Sequence, residues 1–271
     1  MKILVPTDFS DTAFNAAQYA VSLSSQYADA TIICYHSYYT SMVTGIPMPI
    51  LPEDDSAFRH NVLQEMQTAK DKFSGTVPDS TTIHFETDAL PLVDGMEQII
   101  DIQGIQLVVM GITGKGTIGQ HLIGSNTLAV AQRISVPVII IPEKANWKPV
   151  RKVLLAYNSR QPLLSRQAAA INTHVKALGA RLIVVHAGAD SHLAAARQEL
   201  QQWLQLPDIS YHTIPEKNIA KDILAFASGQ EADMLLALPG HHGLFEDLFH
   251  KSVTKRLAYS TTIPLMVIGG A

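Results

Sequence analysis

The chain repeats itself, and that constrains its fold more than any other feature of the sequence. Lys2-Ile3-Leu4-Val5-Pro6-Thr7-Asp8 returns as Lys152-Val153-Leu154-Leu155-Ala156-Tyr157-Asn158, 150 positions later. Ile134-Ser135-Val136-Pro137-Val138-Ile139-Ile140-Ile141 returns as Thr261-Thr262-Ile263-Pro264-Leu265-Met266-Val267-Ile268, 127 positions later, so the second copy is 150 − 127 = 23 residues shorter. A duplication on this scale predicts two units of one architecture, each long enough for its own core. The expected units span 1–145 and 150–271, joined at Asn146-Trp147-Lys148-Pro149. Much of the length difference can sit in Tyr38 to Asp55, where Gly45, Pro47, Pro49 and Pro52 rule out a regular element and predict a long loop or flap.

Within each copy, short apolar runs alternate with amphipathic stretches, the pattern of parallel strands separated by helices. Copy one predicts strands near 2–6, 30–36, 81–86, 105–110 and 137–141 and helices near 11–27, 57–73, 91–102 and 125–133. Copy two predicts strands near 151–155, 180–186, 208–213, 232–238 and 263–268. The fold class is therefore α/β, with two tandem doubly wound five-stranded parallel sheets. Ligands of such sheets bind beyond the carboxyl ends of the strands, where the strand order reverses, so the loops after strands one and four matter most.

Composition excludes several partners. A net charge of −4, with lysines and arginines scattered along the chain, gives no footprint for nucleic acid. No apolar stretch approaches the ~18 residues of a membrane span, and no leader with a cleavage site is read at the start. A single cysteine, Cys34, forms no internal disulfide and fits a reducing compartment, so the expected location is cytoplasmic.

After the fourth strand of copy one, glycines stand at 111, 114, 116, 119 and 124, followed by Ser125-Asn126-Thr127. Such a loop entering a helix N-terminus can cradle a phosphate. It can equally be a glycine-rich turn with a serine cap, and the residues alone leave both readings open. Gly114-x-Gly116-x-x-Gly119 matches the dinucleotide fingerprint literally, but Gly111-Ile112-Thr113 separate it from the strand and the helix begins later. A P-loop fails as well, because Gly116 follows Lys115 where a serine or threonine is required.

The spacing Gly111-x2-Gly114-x9-Gly124-Ser125, with Ile3-Leu4-Val5-Pro6-Thr7-Asp8 at the start and Val136-Pro137-Val138-Ile139-Ile140 at the end, resembles the universal stress protein family. The resemblance covers both halves. It implies Rossmann-like sheets of order 3-2-1-4-5, akin to the adenine nucleotide alpha hydrolases, and ATP as ligand of copy one. Pro6, Thr7 and Asp8 would then lie at the nucleotide, with Asp8 on the ribose or on a phosphate-bound Mg2+. Ser37 and Met110 would face the adenine, and Gly111, Thr113, Gly114, Gly124, Ser125, Asn126 and Thr127 would surround the phosphates. Asp8 can also cap the first helix. The resemblance further implies that the fifth strands, Val136 to Ile141 and Ile263 to Ile268, pair inside the chain as a pseudo-dimer, and it leaves a homodimer open.

Copy two departs from this pattern. Asn158 replaces Asp8, Ala156-Tyr157 replace Pro6-Thr7, and Lys251-Ser252 stand where Gly124-Ser125 stood, although Gly240 and Gly243 remain. Copy two is therefore expected to be a structural partner. His241, His242 and His250 lack an identifiable further ligand and are better explained as a solvated loop than as a zinc site. The function that the resemblance implies is a stress-response binding module acting on an unidentified protein partner. The alternatives are a nucleotide-free scaffold and a slow ATP hydrolase or phosphotransferase, the last having only His121 as a candidate base and no assigned catalytic residue.

Overall fold

The computed structural model describes residues 1–38, 77–113, 124–158, 162–188, 190–215, 217–238 and 260–269, together with 64–65, 67–68, 71 and 257–258. Most of the expected helix over 57–73 and all of the flap past Tyr38 lie outside the described residues. So do Gly114, His121, and the second-copy residues Gly240, His241, His242, Gly243, His250, Lys251 and Ser252.

The first half runs β1 (Lys2–Pro6), α1 (Asp11–Ser24), β2 (Ala30–Ser37), β3 (Thr81–Asp88), α2 (Leu92–Gln103), β4 (Leu107–Gly111), α3 (Ser125–Arg133) and β5 (Val138–Ile141). The second runs β6 (Lys152–Tyr157), α4 (Ser165–Ala177), β7 (Arg181–Ala187), α5 (Asp190–Trp203), β8 (Ile209–Ile214), α6 (Ile219–Gly229), β9 (Met234–Ala237) and β10 (Leu265–Val267). All described strands join one ten-stranded sheet of order β3-β2-β1-β4-β5-β10-β9-β6-β7-β8, so each half has the order 3-2-1-4-5. Neighbours pair in parallel except β5 and β10, which pair antiparallel with Leu265 opposite Ile140 and Val267 opposite Val138. The runs expected to meet inside the chain do so.

Alternation along the strands builds two cores, one on each sheet face, and both continue across the β5–β10 junction. Ile3 and Val5 face α1 beside Ile139, Met266 and Val153, whereas Leu4 faces α2 and α3 beside Ile140, Leu265 and Leu154. The helix expected over 11–27 ends at Ser24. There the hydroxyls of Ser24 and Ser25 turn back onto the Val21 and Ser22 carbonyls at 2.6 and 2.7 Å, offering the backbone a local alternative to another turn.

The segment between the halves is held by specific contacts. Trp147 packs edge-on against Tyr19 at 5.0 Å between centroids, and Lys148 pairs with Asp233 at 2.8 Å. The Gln26 amide accepts from the Val150 N–H at 2.8 Å and donates to the Val150 and Leu178 carbonyls at 3.0 and 3.1 Å. Deeper in, His174 of α4 is buried with its Nδ1 3.2 Å from the Tyr27 hydroxyl.

Burial pushes the His174 imidazole down to about 4, with a backbone contact to Gln106 opposing it. An unfolded histidine titrates near ~6.5, so between that pH and about 4 the unfolded chain binds a proton that the folded one refuses. Stability from this group is complete above ~6.5 and falls by up to about 3 kcal/mol toward pH 4, below which it levels off. Urea unfolding of wild type and His174→Gln across this range checks it: the wild-type-minus-variant difference should shrink with acid, and a flat difference would contradict the assignment.

Candidate functional site

Beyond the carboxyl ends of β1 and β4, the chain leaves the sheet toward opposite faces, and a cleft of about 490 Å³ opens between. On one wall, β1 ends at Pro6 and the chain turns through Phe9, whose φ of +60° places a bulky residue in the left-handed region. That turn is over-determined. The Phe9 N–H donates to the Thr7 hydroxyl oxygen at 3.0 Å, and the ring lies 4.6 Å from that of His36. His36 Nδ1 is 2.8 Å from the Thr7 carbonyl, which can only accept, so that nitrogen carries the hydrogen. The second half repeats the device 150 positions on, with His186 Nδ1 3.2 Å from the Tyr157 carbonyl.

Asp8 does not cap α1. Ser10 does, its Oγ accepting from the Ala13 N–H at 3.2 Å. Asp8 instead accepts from both the Ser10 hydroxyl and the Ser10 N–H, at 2.6 and 3.1 Å, which fixes its carboxylate at the cleft.

The opposite wall is the start of α3. Gly124 is its N-cap and supplies no side-chain cap, so the helix presents its first N–H groups and the positive end of its dipole at the cleft. Gly124 is held in place by donating to the Ile112 carbonyl at 2.9 Å, and buried Thr127 donates to the Gly111 carbonyl at 2.9 Å. The two glycines differ in what requires them. A Cβ on Gly111 would stand 2.9 Å from the Thr12 carbonyl oxygen, so packing forbids it. Gly124 has an ordinary φ of −58°, and a Cβ there would come no closer than 3.5 Å to its nearest neighbour. Among the described residues nothing requires a glycine at 124.

The third wall follows β3. Tyr35 Oη and the Leu90 N–H both donate to Asp88 Oδ1, at 2.8 and 2.9 Å, and Ser37 Oγ donates to the Leu90 carbonyl at 2.6 Å. Burial, helped by Asp88, pushes the Tyr35 phenol above its ordinary value, so it stays a donor. A side chain on Gly95 would collide with that hydroxyl. These bonds hold Pro91, Leu92 and Val93 along the cleft.

Pro6, Thr7, Asp8, Ser37, Met110, Gly111, Thr113, Gly124, Ser125, Asn126 and Thr127 all line this one cleft. Gly114 lies outside the described residues. Sequence reasoning missed Ala13, His36, Pro91 to Asp94 and Arg133. His36 adjoins Ser37 at a strand end and was within reach of the switch-point rule, whereas Arg133, nine residues into α3, gave no signal. Arg133 pairs with Asp94 and Glu97 at 2.8 and 2.9 Å; all three side chains are at least two-fifths exposed, so the pairs add little stability. Among the described lining residues the charged groups are Asp8, Asp94 and this already paired Arg133. No group of three or more His, Cys, Asp or Glu suited to a metal ion occurs among the described residues.

The family model of the universal stress proteins matches residues 1–142. The chain belongs to the universal stress protein family. A universal stress protein of Mycolicibacterium smegmatis is 24% identical over 98% of the chain and 96% of its own length, so the duplication is shared and the chain is a tandem member. A family member of Methanocaldococcus jannaschii is 25% identical over 52% of the chain and 81% of its own length. Among solved structures, a universal stress protein of Archaeoglobus fulgidus superposes with a TM-score of 0.68 at 17% identity, covering 99% of this chain and 96% of that one.

The contrast between the glycines is testable by urea unfolding. Gly111→Ala should cost about 1–3 kcal/mol, because the added methyl meets backbone. Gly124→Ala should lie within about 1 kcal/mol of wild type, a lost cap preference being offset by reduced unfolded-state entropy. Equal costs at both positions would contradict the distinction.

Proposed function

We propose that the first half binds an adenine nucleotide, in the first instance ATP, and that the protein is a cytoplasmic stress-response binding module rather than an enzyme. The observation that carries this reading is the start of α3: a helix N-terminus without a side-chain cap that shares the cleft with Asp8, with a glycine at 124 that no described neighbour requires. An anion suits that position, because backbone N–H groups and the dipole supply positive potential without a lysine or arginine. The described lining carries two carboxylates and a paired guanidinium, so a triphosphate needs those amides and a cation as well. Asp8 is the residue suited to hold Mg2+ together with phosphate oxygens, or to accept from ribose hydroxyls.

In this reading the units are 1–145 and 150–271, and the second supports the first without holding nucleotide. Tyr157 stands where Thr7 stands and is tied by its hydroxyl to Glu199 at 2.6 Å, while Glu199 also accepts from the Leu163 N–H at 2.8 Å. The loop after β6 is thereby fastened to α5. One observation favours pairing of the fifth strands within the chain over a homodimeric use of the same edge: β5 and β10 already pair with each other.

Calorimetric titration with Mg-ATP tests the proposal. Wild type should bind about one ATP per chain. Gly124→Glu should fold, since an acid at a helix N-terminus suits the dipole, yet lose at least tenfold in affinity because its carboxylate occupies and repels the anion position. A folded wild type that binds no ATP, or a variant that binds as well as wild type, would overturn the reading.

A further inference from the structure

The first turn of α1 carries an arrangement that reaches from Asp8 to the root of the glycine loop. Ser10 Oγ lies 2.6 Å from Asp8 Oδ1 and 3.1 Å from Thr12 Oγ1, and Thr12 Oγ1 lies 2.9 Å from the Thr113 carbonyl. Proton counting decides how this chain of oxygens works. A carboxylate and a carbonyl can only accept, and each hydroxyl has one proton. Ser10 therefore donates to Asp8 while accepting from the Ala13 N–H, and Thr12 donates to Thr113. The 3.1 Å contact between the two hydroxyls is the bond that either can make when its present acceptor is engaged elsewhere.

The same turn is pressed against β4. Gly111 lacks the Cβ that would stand 2.9 Å from the Thr12 carbonyl, and this close approach is what brings the Thr12 hydroxyl within reach of Thr113. Thr12 itself does not line the cleft, whereas Asp8 and Thr113 do. It connects two lining residues whose neighbours stand on different strands.

We propose that Thr12 is a positioning residue for the phosphate end of the site: its hydroxyl, donating to the Thr113 carbonyl, fixes Thr113 and with it the root of the glycine loop. This rests on the nucleotide reading above and adds to it a division of labour. The base and ribose depend on the walls formed by Ser37, Met110 and Asp8, and the phosphates depend in addition on Thr12. Removing the Thr12 hydroxyl should therefore weaken a ligand in proportion to its phosphates.

Thr12→Val removes the hydroxyl at nearly constant shape, and Thr12→Ser restores it. Calorimetry with Mg-ATP and with adenosine, on proteins matched for unfolding midpoint, should show ATP about five- to tenfold weaker for Thr12→Val, adenosine unchanged, and Thr12→Ser close to wild type. Unchanged ATP affinity, or equal losses for ATP and adenosine, would overturn the proposal. Amide exchange without nucleotide reads the same claim independently. The peptide containing Ile112 and Thr113 should exchange faster in Thr12→Val than in wild type and Thr12→Ser, and identical rates would overturn the positioning role. If wild type binds neither ligand, the nucleotide reading fails while the exchange result still decides what Thr12 does.

Discussion

The site depends on β1 and β4 lying side by side while the helices that follow them pack on opposite faces of the sheet. β1 pairs with β4 through Ile3–Leu107 and Leu4–Val108, α1 contributes Ala16, Ala20 and Leu23 to one core, and α3 contributes Val130 and Ala131 to the other. No side chain has to open the cleft, because the reversal of strand order leaves it open. What the sequence adds is closure of that gap to a useful width. Gly111 lets the first turn of α1 approach β4, Phe9 takes a left-handed turn that leads the chain into α1, and Asp88 gathers Tyr35 and Leu90 to bring the third wall in.

A second constraint is the fate of the sheet edges. A five-stranded sheet of this order would leave its fifth strand as an exposed ladder, an invitation to association. Duplication lets the chain pair β5 with β10, so both cores run without a break through ten strands. Gln26, Tyr27 and Trp147 add further contacts between or beside the halves, and His174 is buried where Tyr27 meets it. The duplicated His36 and His186 each bond the equivalent carbonyl, of Thr7 and of Tyr157, so this contact recurs in both halves although the residues around it differ.

The fold was legible because its signals are periodic and local. Apolar runs such as Leu107 to Met110 and the repeat of Lys2 to Asp8 at Lys152 to Asn158 located nearly every described strand to within two residues. The candidate site was legible where a residue type implies a backbone need, as at Gly111, or where a motif repeats a family pattern, as at Asp8 and Gly124-Ser125. It was not legible where a side chain reaches the cleft from the far end of a helix or through an intermediary. Arg133 arrives by its length, and Pro91 to Asp94 arrive because Asp88 folds the segment after β3 back on itself. Asp8 looked like a helix cap because it precedes a helix. The turn at Phe9 inserts two residues before α1 begins, and Ser10 inherits the role.

The central claim is that the uncapped start of α3 is an anion site facing Asp8. A crystal structure of the full chain grown with Mg-ATP tests it most directly. The account predicts one nucleotide, in the first-half cleft, with phosphate oxygens within hydrogen-bond distance of the Ser125 to Thr127 amides and the sugar or metal at Asp8. Nucleotide seated in the second half, or in the first-half cleft with its phosphates away from α3, would contradict it.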